Sequence, residues 1–460
     1  MAHSFRIFRR LWLVLGLLLL PSAASAHTAL KRSAPAKGSR LDTAPVRITL
    51  WFTARPHLAF SSITLAGPGG EVPLGPLAAD TADAITTSIT RPLAAGSYTV
   101  RWQTAGADGH PIRGEFTFTV LTSDPRLSAV PPPQDTAATS GAARVEQDSE
   151  MHTTSPELRS IRWMEFIALL TILGALGFRG IVLPALASRG VSVADASDRA
   201  RRLGQSAVGL YAIAAVIRLY VQSEALAGQG NALATGSLRT LVLDTTWGTG
   251  WAAGAIGALL VFAGWKLSKR YGFGLALVIA GSLGLVVAPG MTGHAAAAVP
   301  PTPAIALDAG HVAAAGLWVG GLLVVVFVGI PAMLRIPADS RDSAISALIN
   351  SFHPLALLCA PLVLLTGVGS AWIRFDGQWS ALLTSEYGRM LLWKLAFVAV
   401  VLMLGAYNSA RVRRRLGTPE STRHVRLTTA VELLFAVIVV AVTTALLVTP
   451  LPTDLGVGVQ

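Results

Sequence analysis

The sequence predicts two architectures in one chain: a small all-β sandwich or barrel, then an all-α polytopic membrane bundle of about eight transmembrane helices. Three observations predict it. Between residues 27 and 121, short runs alternate apolar and polar side chains between Gly, Pro and Asp turns, the pattern of half-buried strands. From Ile161 onward, apolar segments of roughly 20 residues recur, each long enough to cross a ~30 Å hydrocarbon core. The 460-residue chain is 52% hydrophobic and only 13% charged, with a mean hydropathy of +0.56, too apolar for a soluble protein of this size.

The elements follow in order. Residues 1–26 carry Arg6, Arg9 and Arg10, an apolar run Leu11–Leu20 and the small triplet Ala24-Ser25-Ala26, the three parts of a secretory signal peptide. Cleavage after Ala26 makes His27 the first residue of the exported chain. Loss of those three among 37 basic residues takes the net charge from +12 to +9. Residues 27–121 form the β domain, with strands at "VRITLWF", "SSITLAG", "AITTSIT", "SYTVRWQT" and "GEFTFTV". Residues 122–157 are rich in Pro, Ser, Thr and Ala without apolar periodicity and read as a flexible extracytoplasmic linker.

The membrane domain, 158–450, places spans near 161–184, 205–226, 249–266, 272–291, 305–333, 344–373, 388–409 and 427–449, with 451–460 as a short outer tail. The loops supply an independent check, because Lys and Arg collect on the cytoplasmic side. With the β domain outside, the inner loops hold Arg189, Arg199, Arg201 and Arg202; Lys266, Lys269 and Arg270; Arg335 and Arg341; and a last cluster from Arg411 to Arg426. The outer loops offer only Arg239, Arg374 and Arg389. The expected location is a bacterial cytoplasmic membrane with both mature ends on the periplasmic side. The same distribution accounts for the basic balance and leaves no basis for a nucleic-acid partner. Cys359 is the one cysteine, so neither an intrachain disulfide nor a Cys-x-x-Cys site is available.

Late in the β domain, "TAGADGHPIRGEFTFTV" sets Asp108 and His110 two residues apart. In extended chain such residues project to one side. A mature N-terminal His27 adds an amine and an imidazole on one residue. Three nitrogens and one oxygen in a plane suit Cu(II), given its tetragonal preference and its place in the Irving–Williams order.

These residues lie in blocks with a known counterpart. "AHTALKRSAPAKGSRL", "ITLWFTARPHLAFSSITL" and "ADGHPIRGEFTFTV" resemble the CopC family of periplasmic copper-binding proteins across nearly the whole β domain. The resemblance implies a Greek-key sandwich or barrel and a Cu(II) site at His27, Asp108 and His110. Two departures matter. Phe52-Thr53-Ala54 stands where the family has "F-S-E", so a Glu near the copper is absent. No Met occurs between residues 27 and 150, which removes the soft thioether ligands of a Cu(I) site in this domain. His57 matches no ligand position of the family.

Residues 155–450 resemble the CopD family and the CopC–CopD fusions of the YcnJ type, through "MTGHAAA", "LDAGHVAAAGLWVGGLL", "YGRMLLWKLAF", "LGAYNSARVR" and "VELLFAVIVV". The implied role is copper movement or handling across the membrane. A second candidate site, for Cu(I), combines Met291 and His294, which share a face if the fourth helix continues, with His311 and the deeper His353. Asp308, one turn before His311, is placed to orient its ring. Pro354 and Pro361 are expected to break the sixth span's hydrogen-bond ladder beside His353 and Cys359. Asn408 and Glu432, nearer the inner face, each read as making a structural bond to a neighbouring helix. Met164, Met390 and Met403 read as packing, and Trp318, Trp372, Trp379 and Trp393 as interfacial belts or helix packing.

The sequence therefore predicts a non-enzymatic copper homeostasis protein that binds Cu(II) outside the membrane and handles or transports copper across it, import being the direction that an outward-facing capture domain fits. Its partners would be the copper ion, the bilayer, and a periplasmic copper donor or membrane copper acceptor. No "GxxxxGK[ST]" or "DKTG" motif of ATP-driven pumps is present. Sequestration without transport uses the same ligands. A membrane haem or copper redox protein would use His294, His311 or His353 axially. An oxidative polysaccharide-cleaving enzyme would share the N-terminal His chelate, but here Asp108 takes the open equatorial position and no aromatic substrate platform is evident.

Overall fold

A computed structural model of the chain describes residues 24–25, 29–106, 109, 111–121, 156–227, 232–268, 273–299, 301–412, 419–447 and 449. His27, Asp108, His110, most of the signal segment and the 122–155 linker lie outside these residues. The chain divides into two compact units, one with Ser25–Ser155 and Tyr220–Thr249, the other with Pro156–Leu219 and Gly250–Thr453.

In the first unit, nine strands form two sheets. The strands are β1 Leu30–Ala34, β2 Arg40–Leu41, β3 Arg47–Phe52, β4 Ser62–Gly67, β5 Gly70–Val72, β6 Ala78–Thr81, β7 Ala84–Ser88, β8 Gly96–Ala105 and β9 Pro111–Val120. One sheet has the order β2-β9-β8-β4-β5, the other β1-β3-β7-β6. All pairings are antiparallel except β2 with β9. Alternation fixes which face is buried. Gly114, Phe116, Phe118 and Val120 of β9 point inward with Tyr98, Val100 and Trp102 of β8, and meet Ile48, Leu50, Phe52 and Ile85 from the other sheet. Each such apolar side chain contributes about 1.5–3 kcal/mol on full burial. On the outer face Glu115 sits opposite Arg101 and accepts its Nε at 3.1 Å. The five predicted strands are all present. Residues 220–249, read from sequence as the end of a span and a loop, fall in the same compact unit as the β domain.

Among the described residues, eight helices are long and apolar enough to span a membrane, matching the predicted number. We label them α1 Glu157–Ala187, α2 Ala194–Ala227, α4 Thr246–Leu267, α5 Gly274–Met291, α6 Pro301–Met333, α7 Ala338–Phe375, α8 Glu386–Ala410 and α9 Pro419–Leu446, with the short α3 Thr235–Asp244 between α2 and α4. Contact between α1 and α6 rests on glycine. A Cβ on Gly320 would collide with the Leu170 carbonyl, and one on Gly174 with the Gly320 backbone, so these helices touch main chain to main chain. Single π turns interrupt α1 at Phe178–Val182 and α6 at Gly316–Gly320 and Val325–Gly329.

Two expectations are corrected here. Helix α7 runs unbroken through Pro354 and Pro361, because the neighbouring turns carry the helix past each missing N–H. Met403 faces outward rather than packing. Trp318 is buried in the bundle core, whereas Trp372, Trp379 and Trp393 are exposed, as lipid-facing or interfacial rings are.

Candidate metal sites

The last pair of the β8–β9 ladder is Ala105 opposite Pro111, and of the residues between them Gly106 and Gly109 are described. There the Gly109 N–H donates to the Gly106 carbonyl at 3.0 Å. Gly109 is left-handed, with φ +79°. Gly109 stands between Asp108 and His110 in the sequence. Those two residues lie outside the described set, but their neighbours are tied firmly. The His57 N–H donates to the Ala105 carbonyl at 2.7 Å, at the foot of the turn. Ser61 Oγ donates to the His57 carbonyl at 2.9 Å and lies 2.7 Å from Thr104 Oγ1.

Four residues before His57, Thr53 holds the start of the chain. Its N–H donates to the Ala29 carbonyl at 2.9 Å, and its Oγ1 accepts the Ala29 N–H at 2.8 Å. His27 is two residues from Ala29, within about 7 Å of extended chain. The 53–57 segment thus links the start of the mature chain to the turn that carries Asp108 and His110. His57, which no family block marked, occupies this link. Its ring packs on Phe60 at 5.0 Å, and its Nδ1 is buried without a hydrogen-bond partner among the described residues.

In the membrane unit, α5 ends at Met291 with Thr292 as its C-cap, and Gly293 is extended at φ −137°. His294 opens a short 3₁₀ turn. The helix does not continue, so Met291 and His294 do not share a helical face as the sequence suggested. The break is pinned by charge. The Thr292 carbonyl accepts from Arg218 Nη2 at 3.2 Å and Arg162 Nη2 at 3.3 Å. Arg218 Nη1 also reaches both Glu165 oxygens at 3.0 Å, with side-chain exposures of 5% and 9%. These groups come from α1 and α2 and read in sequence only as lone charges inside apolar runs.

His311 Nδ1 lies 3.1 Å from Thr366 Oγ1 of α7. Asp308 bonds elsewhere: its carboxylate accepts two bonds from Arg374 Nη2, at 3.0 and 2.9 Å, and one from Ser370 Oγ at 3.0 Å. That occupation displaces the predicted orienting role. Lys394 of α8, a lone charge in "LLWKLAF", lies in electrostatic range of Asp308, Arg374 and His311. Deeper, His353 Nε2 is 3.3 Å from Ser409 Oγ, and Cys359 is buried among apolar side chains. Asn408 Nδ2 donates to Glu432 Oε2 at 3.1 Å, so each does bond a neighbouring helix, and the partner, which the sequence did not identify, is the other.

Among the described residues, no three His, Cys, Asp or Glu side chains are placed to hold one metal. A crevice of about 520 Å3, lined by Leu173, Trp265, Val278 and Leu317 among others, presents no His, Met or Cys.

Three family models match the chain. They are the CopC domain over residues 30–121, the copper resistance protein D-like N-terminal domain over 155–299, and copper resistance protein D over 346–446. The chain is similar to copper transport protein CutJ of Bacillus subtilis (strain 168), at 24% identity over 422 residues, 89% of this chain and 73% of that one. Its β domain is similar to copper resistance protein C of Pseudomonas syringae pv. tomato, at 40% identity over 113 residues, 22% of this chain and 87% of that one. Among solved structures it is similar to PcoC, a methionine-rich copper resistance protein from Escherichia coli, at 33% identity, covering 21% of this chain and 99% of that chain, with a TM-score of 0.20.

Proposed function

Because the chain belongs to the copper transport and resistance family that joins a CopC domain to CopD domains, we propose that it captures Cu(II) outside the cytoplasmic membrane and imports copper. His27, Asp108 and His110 hold the ion, and the helical unit passes it on. The observation that carries this reading is the run of hydrogen bonds from Ala29 through Thr53 and from His57 to Ala105, which draws the neighbours of all three residues toward one end of the sandwich. The basic loops support an orientation with that domain outside.

In this account Cu(II) is cargo and the protein performs no chemical conversion. The His27 amine and imidazole and the His110 ring supply nitrogens, and Asp108 the oxygen, a set matched to tetragonal Cu(II). The absence of Met from 27 to 150 leaves this domain without soft ligands for Cu(I). In the membrane unit, Met291, His294 and His311 are the groups best suited to Cu(I) near the same end of α5 and α6, with His353 deeper. They stand beside Arg162, Arg218, Arg374 and Lys394, countered by Glu165 and Asp308. A copper cation entering there meets net positive charge and must be compensated by its ligands.

Copper accumulation in bacterial cells expressing the chain tests the reading. Import predicts a rise in cytoplasmic copper that His110→Ala reduces. Increased copper confined to the periplasm would instead establish sequestration and overturn import.

A further inference from the structure

Gly109, which stands between Asp108 and His110 in the sequence, is buried. Within its own unit it packs against residues 220–249. Gln222 Nε2 donates to the Gly109 carbonyl at 2.8 Å. A Cβ on Gly109 would lie 3.0 Å from Trp247 Cβ and 3.2 Å from Thr245 Oγ1, so the turn's backbone rests directly on the start of α4. Thr245 is itself fixed, its Oγ1 donating to the Leu241 carbonyl at 2.7 Å and accepting the Gly248 N–H at 2.9 Å. Helix α3 touches the Leu58–Phe60 turn on the other side of His57.

The adjoining strands add a second set of bonds. Arg113 Nε donates to Gln103 Oε1 at 2.8 Å and so sets the amide of Gln103. Arg113 Nη2 then reaches the Ala225 carbonyl at 2.9 Å, and Gln103 Nε2 the Leu226 carbonyl at 3.0 Å. Both acceptors are in the last turn of α2, where carbonyls lack partners within the helix and a cation is favoured by the helix dipole. Two side chains of the hairpin thus meet two carbonyls of the helix end, with Gln103 Nε2 also 3.4 Å from the Ala225 carbonyl.

We propose that residues 220–249 are a built-in dock for the copper turn, and that Gln222 and Trp247 are positioning residues that slow Cu(II) release from Asp108 and His110. This rests on the copper site proposed above. Gln222 holds the carbonyl of Gly109, which stands between the two ligands in the sequence, so any rearrangement that turns this carbonyl requires the bond to break. Glycine at 109 is required twice, by its left-handed φ and by the closeness of Trp247. Release of copper therefore needs either an undocked hairpin or the loss of this single hydrogen bond, which makes the dock the point where hand-over is controlled.

The test uses the whole mature chain in detergent, loaded with Cu(II), with the metal's dissociation into excess EDTA followed by stopped flow. Gln222→Glu keeps the shape and removes the donor; Gln222→Ala removes both. Each should speed dissociation roughly fivefold, the worth of one ordinary hydrogen bond, with the copper EPR spectrum and the thermal midpoint unchanged. A Trp247→Phe variant should lose part of the copper-dependent quenching of tryptophan fluorescence. Dissociation at the wild-type rate in both Gln222 variants, or undiminished quenching in W247F, would overturn the dock. Absence of a tight Cu(II) centre in the unsubstituted chain would overturn the copper site itself, a separate outcome.

Discussion

Arg218 and Glu165 offer the sharpest energetic test of the membrane unit. Their contact is two 3.0 Å bonds between a guanidinium and a carboxylate, both almost wholly removed from solvent, with a further bond from Arg218 to the Thr292 carbonyl. Removing one partner strands the other charge, which costs about 3–5 kcal/mol in a buried pair. Arg218→Leu leaves Glu165 facing only Arg162, and takes from Thr292 one of its two arginine donors. Glu165→Leu is expected to be the worse change, because it removes the carboxylate that accepts both Arg218 Nη1 bonds while Arg162 and Arg218 both stay buried. Replacing both together removes the stranded charge along with its partner, so the double variant should lose about 2 kcal/mol or more less than the sum of the single losses. The cycle is measured by reversible SDS unfolding in mixed micelles, read by tryptophan fluorescence. Losses that simply add would show that the pair is not coupled and that the break after Met291 is held by something else.

Three further outcomes follow from the same geometry. Gly320→Ala places a methyl group against the Leu170 carbonyl, and should destabilise the α1–α6 contact by about 1–3 kcal/mol or more in the same assay, whereas Gly180→Ala, with open space around it, should not. Copper affinity should fall as pH falls, since an N-terminal amine and two imidazoles must shed protons to bind. With ordinary values for those groups, the apparent affinity drops roughly a hundredfold from pH 7 to pH 6, measurable by competition with a chelator. Glu432→Ala should leave the Asn408 side chain without its one described acceptor and lower stability by about 1–3 kcal/mol, with little change in Cu(II) affinity at the β domain.

The sequence made some of this legible and left some hidden, for physical reasons. Strands such as Pro111–Val120 announce themselves because burial on one face enforces period-two alternation, and spans announce themselves because the bilayer demands length and apolarity. Because a polar group in an apolar helix has few partners but another helix, a bond from Asn408 and from Glu432 to some neighbouring helix, though not to each other, was readable. The Arg162, Glu165 and Arg218 network was not, since it joins residues 53 apart on different helices through a carbonyl that no side-chain pattern reveals. Asp308 and His311 illustrate the limit of local spacing: one turn apart on α6, they turn to Arg374 and Thr366 on α7, partners set by helix packing rather than by sequence distance. Likewise, Met291 and His294 were joined by an assumed helix that ends between them at Thr292. The docking of the copper turn on residues 220–249 depends on the fold of two distant segments, and nothing in either segment alone foretells it.

The central claim is that His27, Asp108 and His110 form one Cu(II) site. The most direct measurement is Cu(II) titration, followed by EPR, of the mature chain beginning at His27, beside His110→Ala and a chain with one residue added before His27. The account predicts a single tight tetragonal centre with nitrogen couplings, abolished by the substitution and greatly weakened by the extension. A centre that survives both changes, or no tight centre in the unaltered chain, would contradict it.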